Sequence, residues 1–186
     1  GLTQRLLTAS ETKTAQLGEV GSLVRVVIIT SLTLEAAIAL VLIPRFLTLG
    51  ESLGDAVWHG VFYAVSAFNN AGFVSTPEGL MPYVGDWWMG LPIILGVFIG
   101  SLGFPVILNL ARRRTDARRW SLHTKLTLTV SSLLVVVGAV AIGSFEWRNP
   151  ETFGPLDGPT KVLASIFASV MPRSGGFSTV DTGAMN

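Results

Sequence analysis

Long and short apolar segments alternate along this chain, with polar stretches between them. The long segments are Val26–Pro44, Trp87–Ala111 and Leu126–Phe145. As helices that rise about 1.5 Å per residue, they are long enough to cross a hydrocarbon core of about 30 Å. The short segments, Ala56–Phe68 and Val162–Met171, are not. The pattern predicts an all-α membrane protein in which each short helix enters the membrane and turns back.

Polar residues, glycines and prolines mark where these segments begin and end. We expect Gly54-Asp55 to cap the first short helix, Pro159 to lie in the first turn of the second, and Pro105 to kink the middle span. The resulting division of the chain has four parts: 1–22, a polar loop or the end of a preceding helix; 23–112, a unit of span, short helix, loop and span; 113–125, a basic connection; and 126–186, a second unit that is incomplete after its loop.

An internal repeat links the two short segments. Ser66–Phe73, with the sequence SAFNNAGF, returns in altered form as Val170–Phe177, with the sequence VMPRSGGF, and Gly72 aligns with Gly176 at an offset of 104 residues. Backbone that leaves helical form inside a membrane must be buried in protein or line a watery cavity. The repeat therefore predicts two pore loops.

The residues of these loops suit a dehydrated alkali cation. Carbonyl oxygens can replace the water around such an ion, and glycine permits the positive φ angles and close approach that this arrangement needs. Each short helix would also direct its partially negative C-terminal end toward the ion. The candidate ion-binding residues are Asn69, Asn70, Ala71, Gly72, Arg173, Ser174, Gly175 and Gly176.

Three of these candidates have a plainer interpretation. Asn69 and Asn70 are also common turn residues that tolerate left-handed geometry. Arg173 would repel a cation, so we expect it to point away and bind loop carbonyls or a carboxylate such as Asp181. The alternative is that Arg173 tunes ion occupancy.

Outside the candidate set, Glu35 lies in the middle of the first span. An ionisable residue there is costly and usually faces the protein interior, so Glu35 either tunes the ion path or packs within the protein. Phe73 and Phe177 are expected to pack behind the loops. Gly96 and Gly100 form a small-x-x-x-small pair that allows another backbone to approach.

Composition and charge support a membrane protein and orient it. Only 13% of the 186 residues are charged, against about 25% in soluble domains. Six of the 13 basic residues lie between Arg112 and Lys125, whereas residues 47–86 hold four acidic residues and no basic one. The positive-inside rule therefore places the basic connection on the cytoplasmic side of the cell membrane. The net charge of +1 gives no reason to expect a nucleic-acid partner.

The chemistry of an enzyme or a metal centre finds little support. There is no cysteine, and His59 and His123 are far apart, so a zinc site is not predicted. A membrane-embedded hydrolase could be assembled from Ser66, His59 and Asn69, but Ser66 lacks a nucleophile-elbow glycine frame and no acid is positioned for His59. A scaffold without transport activity would not need two matched loops. We therefore predict that the chain is not an enzyme and binds no cofactor.

These motifs resemble one known family of transporters. Ser66–Phe73 is similar to the second pore loop of the Trk/Ktr/HKT family, and Arg173–Asp181 to the third. Ile99–Val106 (IGSLGFPV) and Leu122–Leu126 (LHTKL) also resemble that family, nearest its bacterial Ktr and Trk membrane subunits. Gly175 stands where alanine or another small residue is common in that family, and glycine there is expected to loosen the local backbone slightly.

The resemblance implies a fold and a function. It implies four span–loop–span units around one pseudo-fourfold pore for potassium uptake, of which this chain would be a fragment with the second unit and part of the third. It also implies a homodimer in the lipid bilayer with a cytoplasmic nucleotide-binding regulatory ring. Sodium as the transported ion, or coupling to sodium or protons, remains the alternative.

Overall fold

The computed structural model describes residues 2–113, 117–173 and 175–185. Within these residues the chain consists of helices and loops without strands, which confirms the all-α prediction. Two compact units form, Gly1–Leu34 and Glu35–Asn186. The helices are α1 (Leu2–Thr48), α2 (Leu53–Phe68), α3 (Trp87–Ser101), α4 (Phe104–Arg113), α5 (Leu122–Glu146) and α6 (Gly158–Val170). Short 3₁₀ turns cover Met81–Tyr83, Ala117–Arg119, Met171–Arg173 and Thr182–Ala184.

Helix α1 is longer than the sequence pattern predicts. It is continuous from Leu2 to Thr48, so the interpretation of residues 1–22 as a loop is wrong for every residue described. The stretch contains no proline, and 12 of the 21 residues from 2 to 22 are good helix formers, so polarity alone did not end the helix. Its apolar part, Val24–Thr48, is long enough to span a membrane and contains the predicted span.

The middle span is not one helix. It breaks between Ser101 and Phe104, and the axes of α3 and α4 differ by 103°. The break precedes Pro105, because Gly103 takes a φ of +80° that ends α3, and Pro105 then lies in the first turn of α4, where its missing N–H costs nothing. Among the described residues, α1 and α5 each contain a helix long and apolar enough to span a membrane, and the bent pair would count as a third.

The two short helices start in different ways, because α2 has a side-chain cap and α6 has none. The Oγ of Ser52 accepts a hydrogen bond from the N–H of Asp55 at 3.2 Å, so Ser52 caps α2 and the predicted Gly54-Asp55 cap is wrong. Asp55 lies instead in the first turn, where a carboxylate suits the free amides and the helix dipole. Pro159 lies in the first turn of α6, as predicted.

The core of the second unit packs both short helices against α3. Both α2 and α6 pack against α3, and α6 also packs along α5. The core cluster includes buried side chains from α1, α2, α3 and α6: Leu42, Phe46, Tyr63, Ala67, Ile93, Val97, Leu163 and Phe167. Helix α3 therefore brings the C-terminal ends of α2 and α6 close together.

Two glycines of α3 allow this close packing. A Cβ atom on Gly96 would lie 3.2 Å from the Cβ of Ala67, and one on Gly100 would overlap the carbonyl oxygen of Phe68. The predicted small-residue pair is thus confirmed as the surface that receives the end of α2.

Candidate ion-conduction site

The first loop begins where α2 is closed by a left-handed residue. The N–H of Ala71 donates to the carbonyl of Ser66 at 2.9 Å, and the N–H of Asn70 donates to the carbonyl of Ala67 at 3.1 Å. Asn70 has a φ of +54°. This pair of bonds around a left-handed residue is a Schellman motif. Asn70 therefore makes the left-handed turn that closes α2.

Asn69 connects the end of α2 to α1. Its Nδ2 atom donates to the carbonyl of Val65 at 2.9 Å and to Oε1 of Glu35 at 2.8 Å. The structure thus gives Glu35 a partner that the sequence does not reveal. The Nδ2 atom of Asn70 donates to the carbonyl of Phe68 at 3.2 Å, so both asparagine amides bond to the protein.

The far end of the first loop is tied back to the same helix. The hydroxyl of Ser66 donates to the carbonyl of Phe73 at 2.9 Å. The phenol of Tyr63 lies 2.6 Å from Oγ1 of Thr76, which in turn donates to the carbonyl of Gly79 at 2.8 Å. The stretch that contains Ala71 and Gly72 is therefore fixed at both ends.

The second loop follows α6 through the 3₁₀ turn Met171–Arg173. The N–H groups of Gly175 and Gly176 both point to the carbonyl of Met171, at 2.9 and 3.4 Å. Gly175 is buried, and a Cβ atom there would lie 2.6 Å from Sδ of Met171 and 2.8 Å from Cγ1 of Val97. Glycine at this position thus makes room for neighbouring side chains. Ser174 lies outside the described residues.

The two loops meet at their glycines. Gly72 and Gly176 have φ angles of +70° and +71°, which fits the expectation of positive φ at both. A Cβ atom on Gly72 would lie 2.7 Å from the carbonyl oxygen of Gly175 and 2.8 Å from Cα of Gly176. A Cβ atom on Gly176 would lie 3.2 Å from Cα of Gly72. Backbone therefore faces backbone at the contact, and any side chain here would separate the loops.

The side chain of Arg173 bonds to α5. Its Nη1 and Nη2 atoms donate to the carbonyl and the hydroxyl of Ser131, at 3.1 and 2.8 Å. Arg173 thus points away from its loop, as expected, but among the described residues Ser131 takes the place of the predicted partners, and the side chain of Asp181 caps the next turn by accepting from the N–H of Gly183 at 2.9 Å. The guanidinium of Arg173 reaches α5 because α5 and α6 pack side by side, an arrangement that sequence spacing does not show.

A further hydrogen bond joins α5 to α6 itself, one helical turn before Arg173. The hydroxyl of Ser169 in α6 donates to the carbonyl of Val135 in α5 at 2.8 Å. Together with the bonds of Arg173 to Ser131, it forms two rungs, one from α5 to the last turn of α6 and one from α5 to the 3₁₀ turn that begins the second loop.

The two phenylalanines that follow the glycines differ. Phe177 is buried, and its ring centroid lies 6.2 Å from that of Tyr63, so the prediction that it packs behind the loop is confirmed. Phe73 is 69% exposed within the described chain, so the same prediction is wrong for it here. The difference arises because α2 provides Phe177 with a packing surface, and no described element does so for Phe73.

Polar contacts of the acidic stretch, residues 47–86, were not predicted from the sequence. Nε of Arg45 pairs with Oδ2 of Asp86 at 2.7 Å, and Oδ1 of Asp86 caps α3 by accepting from the N–H of Trp88 at 2.9 Å. Burial, and secondarily the negative charge of Glu51, raises the pKa of Tyr83 in the 3₁₀ turn Met81–Tyr83. Arg45 and Asp86 are 41 residues apart, so only the fold brings them together.

A buried cluster holds the end of the second loop. Nδ2 of Asn149 donates to Oε2 of Glu146 at 2.7 Å and to the carbonyl of Ala184 at 2.9 Å, and the hydroxyl of Thr152 also donates to Glu146. The segments that follow α2 and α6 are thus each tied to the end of a long helix. The ion pair of Asp86 with Arg45 ties the first segment to α1, and this cluster ties the second segment to α5. Among the described residues no group of histidine or acidic side chains could hold a metal ion.

Comparisons with known proteins give the family. The model of a family described as a cation transport protein, TrkH, matches residues 2–186. The chain is 37% identical to the Ktr system potassium uptake protein B of Bacillus subtilis over 100% of this chain and 41% of that protein. It is 37% identical to the protein of the same name from Vibrio alginolyticus, over 67% of this chain and 28% of that one.

A third relative carries a broader name. The chain is 30% identical to the potassium/sodium uptake protein NtpJ of Enterococcus hirae, over 78% of this chain and 31% of that protein. The chain thus spans about two fifths or less of the length of these relatives. Members of this family are transporters, which confirms the prediction that the chain is not an enzyme. The prediction that the chain lies in a membrane is confirmed as well. The chain belongs to the TrkH family of cation transport proteins.

Proposed function

We propose that this chain forms part of a potassium uptake transporter of the cell membrane, and that ions pass between loops whose backbone carbonyls replace their water. The candidate carbonyls are those of Asn69–Gly72 and Arg173–Gly176. One observation carries the proposal: the loops at the ends of two short helices meet through Gly72 and Gly176 without a side chain between them.

The electrostatics of the loops favour a cation. Helices α2 and α6 both end at the loops, so their partially negative C-terminal ends lie beside the proposed ion path. The positive charge of Arg173 is bound to Ser131 in α5. We assign the ion contacts to peptide oxygens, because the two loops meet through glycine backbone without a side chain between them.

Potassium is preferred to sodium because two relatives are named as potassium uptake proteins. The relative named as a potassium/sodium uptake protein supports the alternative, a sodium-permeable or sodium- or proton-coupled transporter of the same fold. Uptake of each ion, measured with and without the other and across a proton gradient, separates these cases.

The assembly of the intact protein is also a proposal. From the resemblance we expect residues 23–112 and 126–186 to be successive units of a pseudo-fourfold pore, with 113–125 on the cytoplasmic side. We further expect a homodimer and a cytoplasmic nucleotide-binding ring, and no nucleic-acid partner. Light scattering of the purified intact protein tests the dimer, and co-purification of a nucleotide-binding subunit tests the ring.

The filter assignment is tested by substituting Gly72. In the intact transporter, expressed in potassium-deficient cells, Gly72→Ser should abolish rescue at low external potassium, because its Cβ would strike the backbone of Gly175 and Gly176. Gly50→Ser is the matched control: Gly50 also has a positive φ, +96°, but a Cβ there meets nothing within 4 Å. If both variants reach the membrane and rescue growth equally, the assignment is refuted.

A further inference from the structure

Glu35 lies at a depth where an unpaired charge would be costly. It is near the middle of the apolar segment Val24–Thr48 and is half-buried. Polar groups at such depth usually bond to other parts of the protein. The bond in this case is the one from Nδ2 of Asn69 to Oε1 of Glu35, 2.8 Å long, between residues 34 positions apart.

Asn69 is placed to transmit this contact to the loop. It is the C-terminal cap of α2, and the same Nδ2 atom also bonds to the carbonyl of Val65 in the last turn of the helix. The next residue, Asn70, makes the left-handed turn, and Gly72 follows two residues later. A shift of Asn69 would therefore rotate the peptide groups from which the loop starts.

We propose that Glu35 is a positioning residue that selects the conformation of the first loop through Asn69. The inference rests on the proposed function, because the property it controls is the preference of the transporter for potassium over sodium. It assigns the effect to the acceptor oxygen of Glu35 rather than to its charge. A glutamine side chain has the same length and retains a carbonyl oxygen that can accept from Asn69.

This assignment makes opposite predictions for two variants of one residue. Glu35→Gln should keep the ratio of potassium to sodium uptake within about twofold of wild type, because the hydrogen bond survives. Glu35→Met keeps the length but has no acceptor. Because the bond to Asn69 is then lost, the ratio of potassium to sodium uptake should fall about tenfold.

A double-mutant cycle shows whether the effect passes through Asn69. Asn69→Leu removes the same bond from the other side and should lower the ratio as much as Glu35→Met does. Combining the two should add little, because a bond can be lost only once. Ser144→Ala is the matched control: it removes the 2.6 Å bond from the Ser144 hydroxyl to the carbonyl of Val140 within α5, away from the loops, and should leave the ratio unchanged.

The experiment measures initial uptake of potassium and of sodium by the intact transporter in cells, normalised to the amount of protein in the membrane. A role confined to stability would lower the amount of protein but not the ratio. An unchanged ratio in Glu35→Met overturns the inference, and so does an equal fall in Glu35→Gln, which would assign the effect to charge. If Glu35→Met does not reach the membrane, Asn69→Leu alone decides. Wild-type protein that takes up no potassium would refute the proposed function instead.

Discussion

A single methyl group at Gly100 should disturb the end of α2. A Cβ atom there would overlap the carbonyl oxygen of Phe68 and lie 2.7 Å from Nδ2 of Asn70. Phe68 is the last residue of α2, and Asn70 makes the turn into the first loop, so these atoms cannot move alone. One turn earlier, a Cβ on Gly96 would lie 2.8 Å from Cδ1 of Ile38, the flexible end of a side chain.

The two sites allow the size of the effect to be estimated. Replacing a helical glycine with alanine stabilises a helix by about 0.5–1 kcal/mol in the absence of a clash. Overpacking a well-packed site costs about 1–3 kcal/mol. At Gly96 the two contributions should nearly cancel, because Ile38 can rotate. At Gly100 the cost should dominate, since backbone must shift, and a net loss of about 1–2 kcal/mol would lower the melting temperature by roughly 2–8 °C.

The assay compares Gly100→Ala with Gly96→Ala in the intact transporter. Thermal stability in detergent, followed by fluorescence-detected size-exclusion chromatography, should fall for Gly100→Ala and stay near wild type for Gly96→Ala. Potassium uptake should fall in the same order, because the clash displaces the start of the loop. Equal melting temperatures and equal uptake for the two variants would show that α3 does not hold the end of α2 as described.

Two further changes test the polar contacts around the loops. Arg173→Ala removes both bonds to Ser131 and should lower thermal stability and uptake more than Ser131→Ala, which leaves the backbone acceptor in place. Unchanged uptake and yield in Arg173→Ala would contradict both the structural and the tuning role of Arg173. Asp86→Ala should destabilise the protein by about 1 kcal/mol or more, because it removes the cap of α3 as well as an ion pair. Arg45→Ala removes only the partly exposed ion pair and should cost less than about 1 kcal/mol, and thermal melts in low and high salt separate the two effects.

Much of the helical architecture could be predicted, because apolar length is written directly in the chain. The span in α5 and the two short helices follow from it. The kink predicted from Pro105 anticipated a bend in the middle span, but not a full break before Phe104, because the deciding residue is Gly103, and whether a glycine adopts a positive φ depends on its neighbours in space. Residues 2–22 were ambiguous because a polar stretch without proline suits a loop and a helix equally.

For the site, the repeat located Gly72 and Gly176, since the same short motif after the same kind of segment is visible in one dimension. The contacts that hold the loops in place could not be predicted in this way. The partner of Glu35 is 34 residues away, and that of Arg173 is 42 residues away, so neither could be paired before the helices were packed. Sequence therefore identifies the residues with special backbone needs, and structure is required to find what restrains them.

The two rungs between α5 and the second loop have a mechanical consequence. Ser169 and Arg173 are four residues apart, and so are their acceptors Val135 and Ser131, which run in the opposite direction. A sliding or rolling movement of α5 would strain both bonds at once, so the easier motion is for α5 and the start of the loop to travel together. A force applied along α5 would therefore act directly on the backbone beside Gly176.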